Sequence, residues 1–416
     1  MTRLNQTITR WQGMGLIATT LLGTGVFIIP QLTIQHAGDH AIWAWVVLLL
    51  AILPLAYVFA ELGRKFTHAA GPAYFVSQAF GQTAGRIIGL LFLFAVPPGA
   101  AAALIMTFKF LDPLITLSAQ QAIIAELAVF LLLFFINRRG LQLSGRIQLG
   151  LTLAVLGVVV AMLITAFASN AQPVATESGD SNAVLSAIGL AIWSFLGIEA
   201  ITHLATEFKD VKKDFLPATL GGITLVGLIF MGCTYLSLLA PDHSLAMVGA
   251  FELLLGDSGR WIIGALGLIS GLATINVYFA SLSRLAWSFS NEGVLPSQLQ
   301  SLNKHQVPAV ALLVFILISA LMLVLSFIAE LDFDALAHWV NGAFVMIYSA
   351  SMLAAWKLLS TRHRPVIALG LLACGLFIYC LGSAMLYALL LAAVITIGLL
   401  AQQLYRASFS KRGTPL

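Results

Sequence analysis

Apolar stretches of about 20 residues succeed one another from Trp11 almost to the end of the chain, and a stretch of that kind has few structures open to it. In hydrocarbon, every backbone N–H and C=O must find its partner within the protein, which for a single segment means a helix. The sequence therefore reads as an all-α polytopic membrane protein. Charge agrees with this. Only 9% of the 416 residues are charged and 60% are hydrophobic, against roughly 25% charged in soluble domains, and the mean hydropathy is +0.98. So few charges cannot cover an aqueous surface, whereas a lipid-facing one needs almost none.

At 1.5 Å rise per residue, twelve segments are long enough to cross a bilayer: 11–33, 41–63, 84–110, 118–136, 142–168, 184–205, 216–240, 259–289, 307–329, 334–358, 364–382 and 384–405. The first follows a short polar stretch, Thr2 to Arg10. It is longer than a signal-peptide core and has no small-residue cleavage site, so it is expected to stay as a membrane helix. Threaded with the N-terminus inside, the twelve segments put all 21 Lys and Arg except Lys109 and Arg260 on one side. The positive-inside rule makes that side, and with it both termini, cytoplasmic. The opposite loops are neutral to acidic, with Asp39, Glu177, Asp180, Asp242, Glu252, Asp257, Glu330 and Asp332. The net charge of +4 thus reports topology and points to no nucleic-acid partner. Cys233, Cys374 and Cys380 sit inside apolar runs and the eight histidines show no ligand spacing, so no disulfide, metal or cofactor is expected.

The longest polar stretch between segments, Asn170 to Asn182, divides the first ten segments into two groups of five. This suggests an inverted-repeat transporter, whose corresponding helices are discontinuous near the bilayer midplane. The expected organisation is a first five-helix repeat over 1–168, an extracytoplasmic linker over 169–183, a second repeat over 184–358, and two further helices with a cytoplasmic tail over 359–416. Segment one carries Gly23-Thr24-Gly25 near its middle, and segment six carries Trp193-Ser194-Phe195-Leu196-Gly197. Glycine costs roughly 1 kcal/mol in a helix interior and lets another group approach the backbone. Either motif alone fits small-residue helix packing, but their matching places in the two halves favour unwinding. Half-helix N-termini suit a carboxylate and C-termini an ammonium; a zwitterionic amino acid satisfies both.

The motifs LLGTGVFIIP (21–30), AAGPAYFVSQAFG (69–81), NRRGLQLSGRIQ (137–148), FLGIEAITHLATEFKDVKKDFLPA (195–218), SRLAWSFSNEGVLP (283–296) and NGAFVMIY (341–348) together resemble the amino acid–polyamine–organocation superfamily over nearly the whole chain. Within it, GIEAITHLATEFK and NGAFVMIY look most like the bacterial branch that exports L-methionine and branched-chain amino acids. The resemblance implies a LeuT-like five-plus-five inverted repeat with helices one and six discontinuous and two extra C-terminal helices. It also implies a bacterial inner-membrane location and proton-linked export. It places the substrate carboxylate on backbone groups of Gly23, Thr24 and Gly25, and the ammonium on carbonyls over Trp193, Ser194, Phe195 and Gly197. Trp193 resembles the aromatic lid of antiporters in the superfamily, or else is a packing tryptophan. Tyr278 and Phe344 are pocket candidates by position; large aromatics in membrane helices are more often packing residues.

Ionisable groups inside a span are expensive and mark function. Glu199 lies just past the second break and matches a proton-sensing glutamate of the superfamily. His203, four residues on and on the same helix face, is a candidate relay, with a structural Glu–His hydrogen bond as the alternative. Glu207, beside Lys209, Lys212 and Lys213, suits a cytoplasmic-gate ion pair. Glu61, near Arg64 and Lys65, suits a membrane-edge pair, and Glu126 has no evident local partner. Where some proton-coupled relatives carry a lysine in segment five, this chain has Val155.

The pocket segments 20–27, 193–198, 276–280 and 341–346 contain no charge. A charged substrate side chain would need an opposite charge in so dry a site, so a neutral apolar amino acid is expected, carried as a monomer or homodimer in lipid. An importer or exchanger of the same fold stays open. A membrane-embedded enzyme predicts a clustered nucleophile or metal set, and a sensor predicts a soluble domain appended to the spans; the sequence shows neither.

Overall fold

A computed structural model of the protein describes residues 8–23, 25–66, 71–140, 145–176, 180–199, 202, 208–256 and 258–412. The described residues are helical almost throughout, with one isolated bridge between Ile8 and Phe208. The long helices are α1 (Arg10–Leu22), α2 (Ile29–Ala37), α3 (Ala41–Lys65), α4 (Gly71–Phe80), α5 (Gln82–Phe108), α6 (Ala119–Arg138), α7 (Gly145–Ala168) and α8 (Ser181–Ala191). After them come α9 (Leu216–Ser237), α10 (Ala246–Leu255), α11 (Gly259–Asn291), α12 (Ala309–Ile328), α13 (Phe333–Leu358), α14 (Arg364–Leu381) and α15 (Met385–Arg412).

Eight stretches of the described chain are long and apolar enough to cross a membrane. Two of them, the 41 residues of Gly25–Lys65 and the 44 of Thr361–Leu404, would each span about 60 Å as one straight helix, twice the hydrocarbon thickness. Each is instead divided by 3₁₀ turns, at Gly38–His40 and at Gly382–Ala384. Each expected apolar segment is mainly helical where it is described, with turns at Gly23 and Ile28 in segment one and over 196–199 in segment six, of which only Thr202 is described beyond that. Two helices lie where loops were expected, α4 and α10. Each has only 10 residues, too few to cross and too short to raise a 20-residue hydropathy window. Segment one also runs past its expected end, to Ala37.

Helix ends follow local chemistry. Ser118 accepts from the Gln121 amide in a reciprocal capping box at the start of α6. Asp180 accepts from Ala183 N at 2.9 Å and Asp332 from Ala335 N at 3.1 Å, capping α8 and α13.

Burial sorts the helices into inner and outer layers. In α5, 78% of the most apolar window is buried, against 17% in α6 and 22% across Thr361–Leu404. Thus α5 and α13, which pack on each other, form the centre, and the outer helices turn side chains such as Ile124, Leu131, Leu372 and Val394 outward. Lipid is as apolar as leucine, so close backbone approach has to hold such a bundle together. Along α11, Gly264, Gly267 and Gly271 face Leu114, Phe110 and Thr107, and a Cβ at any of the three would overlap them.

The two ends of the bundle differ in charge. At one end Arg10 pairs with Asp214, Lys65 donates to the Leu358 carbonyl and Lys357 to the Ala79 carbonyl. At the other, Asp39 accepts from the Thr176 amide and hydroxyl, and Gln31 accepts from Ala246 N.

Candidate functional site

The first break is visible in the backbone. Helix α1 ends at Leu22, Gly23 takes φ +32° and ψ −141°, a 3₁₀ turn covers Gly25–Phe27, and α2 begins at Ile29. A positive φ of this kind strains any side chain with a Cβ, which is why glycine stands there. The Gly23 carbonyl, freed from the helix, accepts from Ser270 Oγ of α11 at 3.0 Å. The opening amides of α2 have no partner within the helix, and Pro30 contributes none.

The second break has the same logic with different parts. Helix α8 ends at Ala191 and tightens into a 3₁₀ turn over Ile192–Phe195. Leu196 is extended and Gly197 takes φ +107°. Where the α register gives way, Asn341 of α13 donates its amide to the carbonyls of Gly189 (2.8 Å) and Leu190 (3.2 Å). The NGAF motif therefore braces the break in segment six.

Both breaks open onto one cavity, about 650 Å³ when the open space at its mouth is counted with it. Gly23 and Gly25 from the first break, Trp193 and Ser194 from the second, Tyr278 from α11 and Phe344 from α13 all line it. Trp193 spans the space. Its ring lies beside Gly25 and Gly99, and it meets Phe333 edge-on with centroids 5.3 Å apart. Ser194 Oγ is buried with no hydrogen-bond partner among the described residues. A buried hydroxyl left unpaired costs about 1–3 kcal/mol, a cost that a polar ligand in the cavity would remove. Among the described residues, no charged side chain lines the cavity.

Phe195 and Gly197, expected in the pocket, do not line it. The 3₁₀ register turns Phe195 into the core against Phe230, with centroids 6.4 Å apart. The Gly197 amide donates to Glu199 Oε2 at 3.2 Å. Glu199 is buried one layer behind the cavity, and the same Oε2 accepts from the Tyr348 hydroxyl at 2.9 Å. Tyr348 packs edge-on against Phe344, so a continuous path of contacts runs from the carboxyl to the cavity wall. Thr24, His203 and Glu207 lie outside the described residues. Glu61 pairs with Arg64, and Val155 is an apolar core residue. Glu126 is buried in α6 with no ion-pair partner among the described residues.

One wall was not anticipated. Ala95, Val96, Gly99, Ala100 and Ala103 of α5 line the cavity. The signal was present as Pro97-Pro98-Gly99 followed by four alanines. Proline removes the N–H that would serve the carbonyl four residues earlier, here those of Leu93 and Phe94, and the small residues leave room beside Trp193.

The amino acid permease family model matches residues 8–408. The chain is 34% identical to the L-methionine/branched-chain amino acid exporter YjeH of Escherichia coli K12, over 94% of this chain and 96% of the relative. It is 28% identical to the uncharacterized amino acid permease YecA of Bacillus subtilis 168, over 94% of each. It is also 25% identical to the cadaverine/lysine antiporter of Escherichia coli K12, over 75% of this chain and 73% of that one.

Proposed function

The chain belongs to the amino acid permease family, a family of transporters and not of enzymes, and from that premise we propose that it exports neutral apolar amino acids in exchange for protons. The substrates are L-methionine, leucine, isoleucine and valine. The observation that carries the reading is the cavity joining two backbone breaks with no charged side chain among the described residues of its wall.

In this reading the substrate carboxylate lies on backbone groups of the Gly23-Thr24-Gly25 break, ahead of the N-terminal end of α2, whose dipole favours negative charge. The ammonium meets carbonyls at the end of the α8 turn, and Ser194 Oγ gains its missing partner. The side chain extends toward Ala95, Gly99, Ala100 and Val340, which offer van der Waals contact and no counter-charge. A lysine or glutamate side chain placed there would be an unpaired charge in a dry site. Trp193 covers the bound molecule, with Gly25 and Gly99 leaving space for its ring. Glu199 carries the proton. It is tied to the second break through Gly197 and to α13 through Tyr348, so a change in its protonation alters bonds to both elements.

The membrane arrangement proposed is the twelve-helix, LeuT-like one, with repeats over 1–168 and 184–358, helices 11 and 12 beyond them, and both termini on the cytoplasmic side of a bacterial inner membrane. The outward direction is carried by the likeness to the Escherichia coli exporter. The test is counterflow of labelled methionine and leucine in proteoliposomes, with and without a pH gradient. Uptake of both, competed by isoleucine and valine and enhanced by the gradient, is expected. Uptake of neither sinks the substrate assignment.

A further inference from the structure

At the end of the bundle away from the lysine-rich loops, three ionisable side chains converge from helices far apart in sequence. Asp334, in the first turn of α13, lies between two imidazoles. Its Oδ2 is 3.2 Å from His36 Nε2 and its Oδ1 is 3.1 Å from His338 Nδ1. His36 sits in the last turn of α2, and its Nδ1 is 3.3 Å from Ser186 Oγ on α8. His338 Nδ1 also lies 2.8 Å from the Asp334 carbonyl oxygen. A carbonyl only accepts, so that nitrogen bears the hydrogen. The three side chains keep 30%, 28% and 17% exposure, enough for water to deliver protons and little enough for their pairing to be stronger than on an open surface.

The cluster stands directly over the cavity's cover. Asp334 follows Phe333, whose ring meets Trp193, and Val340 and Phe344 farther along α13 line the cavity. Helix α2 leaves the first break and α8 enters the second. The His36–Asp334–His338 group and Ser186 therefore tie the segments next to both breaks to the helix that walls the cavity.

We propose that His36, Asp334 and His338 form a proton-binding site that latches this end of the cavity, its ligand being protons from the extracytoplasmic face. The sidedness rests on the proposed function; the pairing does not depend on which substrate is carried. With both imidazoles neutral, the group holds only the negative charge of Asp334. A proton taken up by either imidazole sets a cation within 3.2 Å of that carboxylate, so the His36 bond becomes one between two charged groups and His338 gains a direct attraction to Asp334 Oδ1. The neighbouring titratable groups are few. Asp332 caps Ala335 N and its field reaches His338. Asp39 is engaged by Thr176 with His40 beside it, and Asp180 caps Ala183. Cys380 and Tyr387 stand on the helices behind α13. Acid outside thus closes this end, and alkali frees it. For a carrier that brings protons in and cargo out, protons loaded from outside shut the exit behind the departing substrate.

The test is the distance between spin labels at Gln35→Cys and Ala329→Cys, both exposed, in a Cys380→Ala background in nanodiscs. In the wild-type sequence the short-distance population is expected to gain about tenfold over the long one between pH 8 and pH 5.5, a shift typical of coupled sites. His36→Gln and His338→Gln each reduce that change to less than about threefold. Asp334→Asn leaves the long distance dominant at both pH values, and His36→Arg, a permanent cation, leaves the short one dominant at both. A merely structural cluster would not give opposite outcomes for His36→Gln and His36→Arg. Distances that ignore pH in the wild-type sequence, or a His36→Gln protein that titrates like it, overturn the proposal. Methionine counterflow with pH-independent distances removes the latch and keeps the substrate assignment; pH-dependent distances without counterflow do the reverse.

Discussion

The Tyr348 hydroxyl donates to Glu199 Oε2 at 2.9 Å, joining the carboxyl behind the second break to the helix that carries Val340 and Phe344 into the cavity wall. Two substitutions separate the proton from the bond. Glu199→Gln keeps an oxygen for Tyr348 to donate to but removes the titrating group. Gradient-driven accumulation should be lost while substrate exchange persists. Tyr348→Phe does the opposite. It leaves the carboxyl able to titrate and should cost about 1.5–3 kcal/mol of stability, as for other hydrogen bonds to charged groups, with the gradient response retained. Thermal unfolding read beside gradient-driven uptake checks both. A Glu199→Gln protein that still accumulates substrate in response to the gradient rules Glu199 out as the coupling group.

The α5 wall makes a sharper prediction about substrate size. A Cβ at Gly99 would sit 3.6 Å from both methyls of Val340 and 4.0 Å from the Trp193 ring, which is ordinary contact. Gly99→Ala should therefore be tolerated. Gly99→Leu extends into the space assigned to the substrate side chain and should raise the KM for leucine and methionine by about tenfold or more, since overpacking costs roughly 1–3 kcal/mol. Alanine or glycine as substrate should be affected less. Equal losses for all substrates would place the side chain against a different wall.

These two sites differ in how far they could be read beforehand. The breaks were legible because glycine in a helix interior is costly and stands at matching places in segments one and six. The side-chain direction of Phe195 was not legible, because it follows Trp193 and Ser194 in a 3₁₀ turn, where each residue rotates by about 120°, and only the local register decides that Trp193 faces the cavity and the Phe195 ring faces Phe230. The α5 wall was passed over because Pro97 to Ala103 reads as ordinary apolar span. Helices α4 and α10 fell below the hydropathy window. The His36–Asp334–His338 group joins residues nearly 300 positions apart, a convergence that spacing within one segment cannot reveal.

The linker at the exposed end supplies a pH-dependent contact. Asp39 accepts from the Thr176 amide at 2.9 Å and its hydroxyl at 2.7 Å, and these bonds, the backbone one foremost, hold the Asp39 carboxyl below the usual carboxylate range. A depressed value in the folded state means a tether present above the ordinary carboxylate range and lost as pH falls through the lowered one. Protease nicking across 170–176 should thus be unchanged from pH 8 to pH 5 and rise below about pH 4, the ordinary carboxylate value. Asp39→Ala should show the faster nicking at every pH. Because Asp39 is open to solvent, global stability should not change.

Asn341 tests whether the second break is held open from outside. Its amide nitrogen serves the carbonyls of Gly189 and Leu190, while its own Oδ1 is buried without a partner among the described residues. Asn341→Ala removes two hydrogen bonds from buried carbonyls, and each carbonyl left short costs about 1–3 kcal/mol. The chain can lower that cost by continuing the α register of α8 through Ile192–Phe195, which would rotate Trp193 and Ser194 away from the cavity. Two losses are therefore expected together: a lower melting temperature and a weakened stabilisation of the folded protein by added methionine. Asn341→Asp keeps the shape but replaces both donors with an acceptor, and it should be at least as damaging. If Asn341→Ala lowered the melting temperature while methionine still stabilised the protein as in the wild-type sequence, the break would be held by the glycine backbone itself, and the asparagine would be a packing residue.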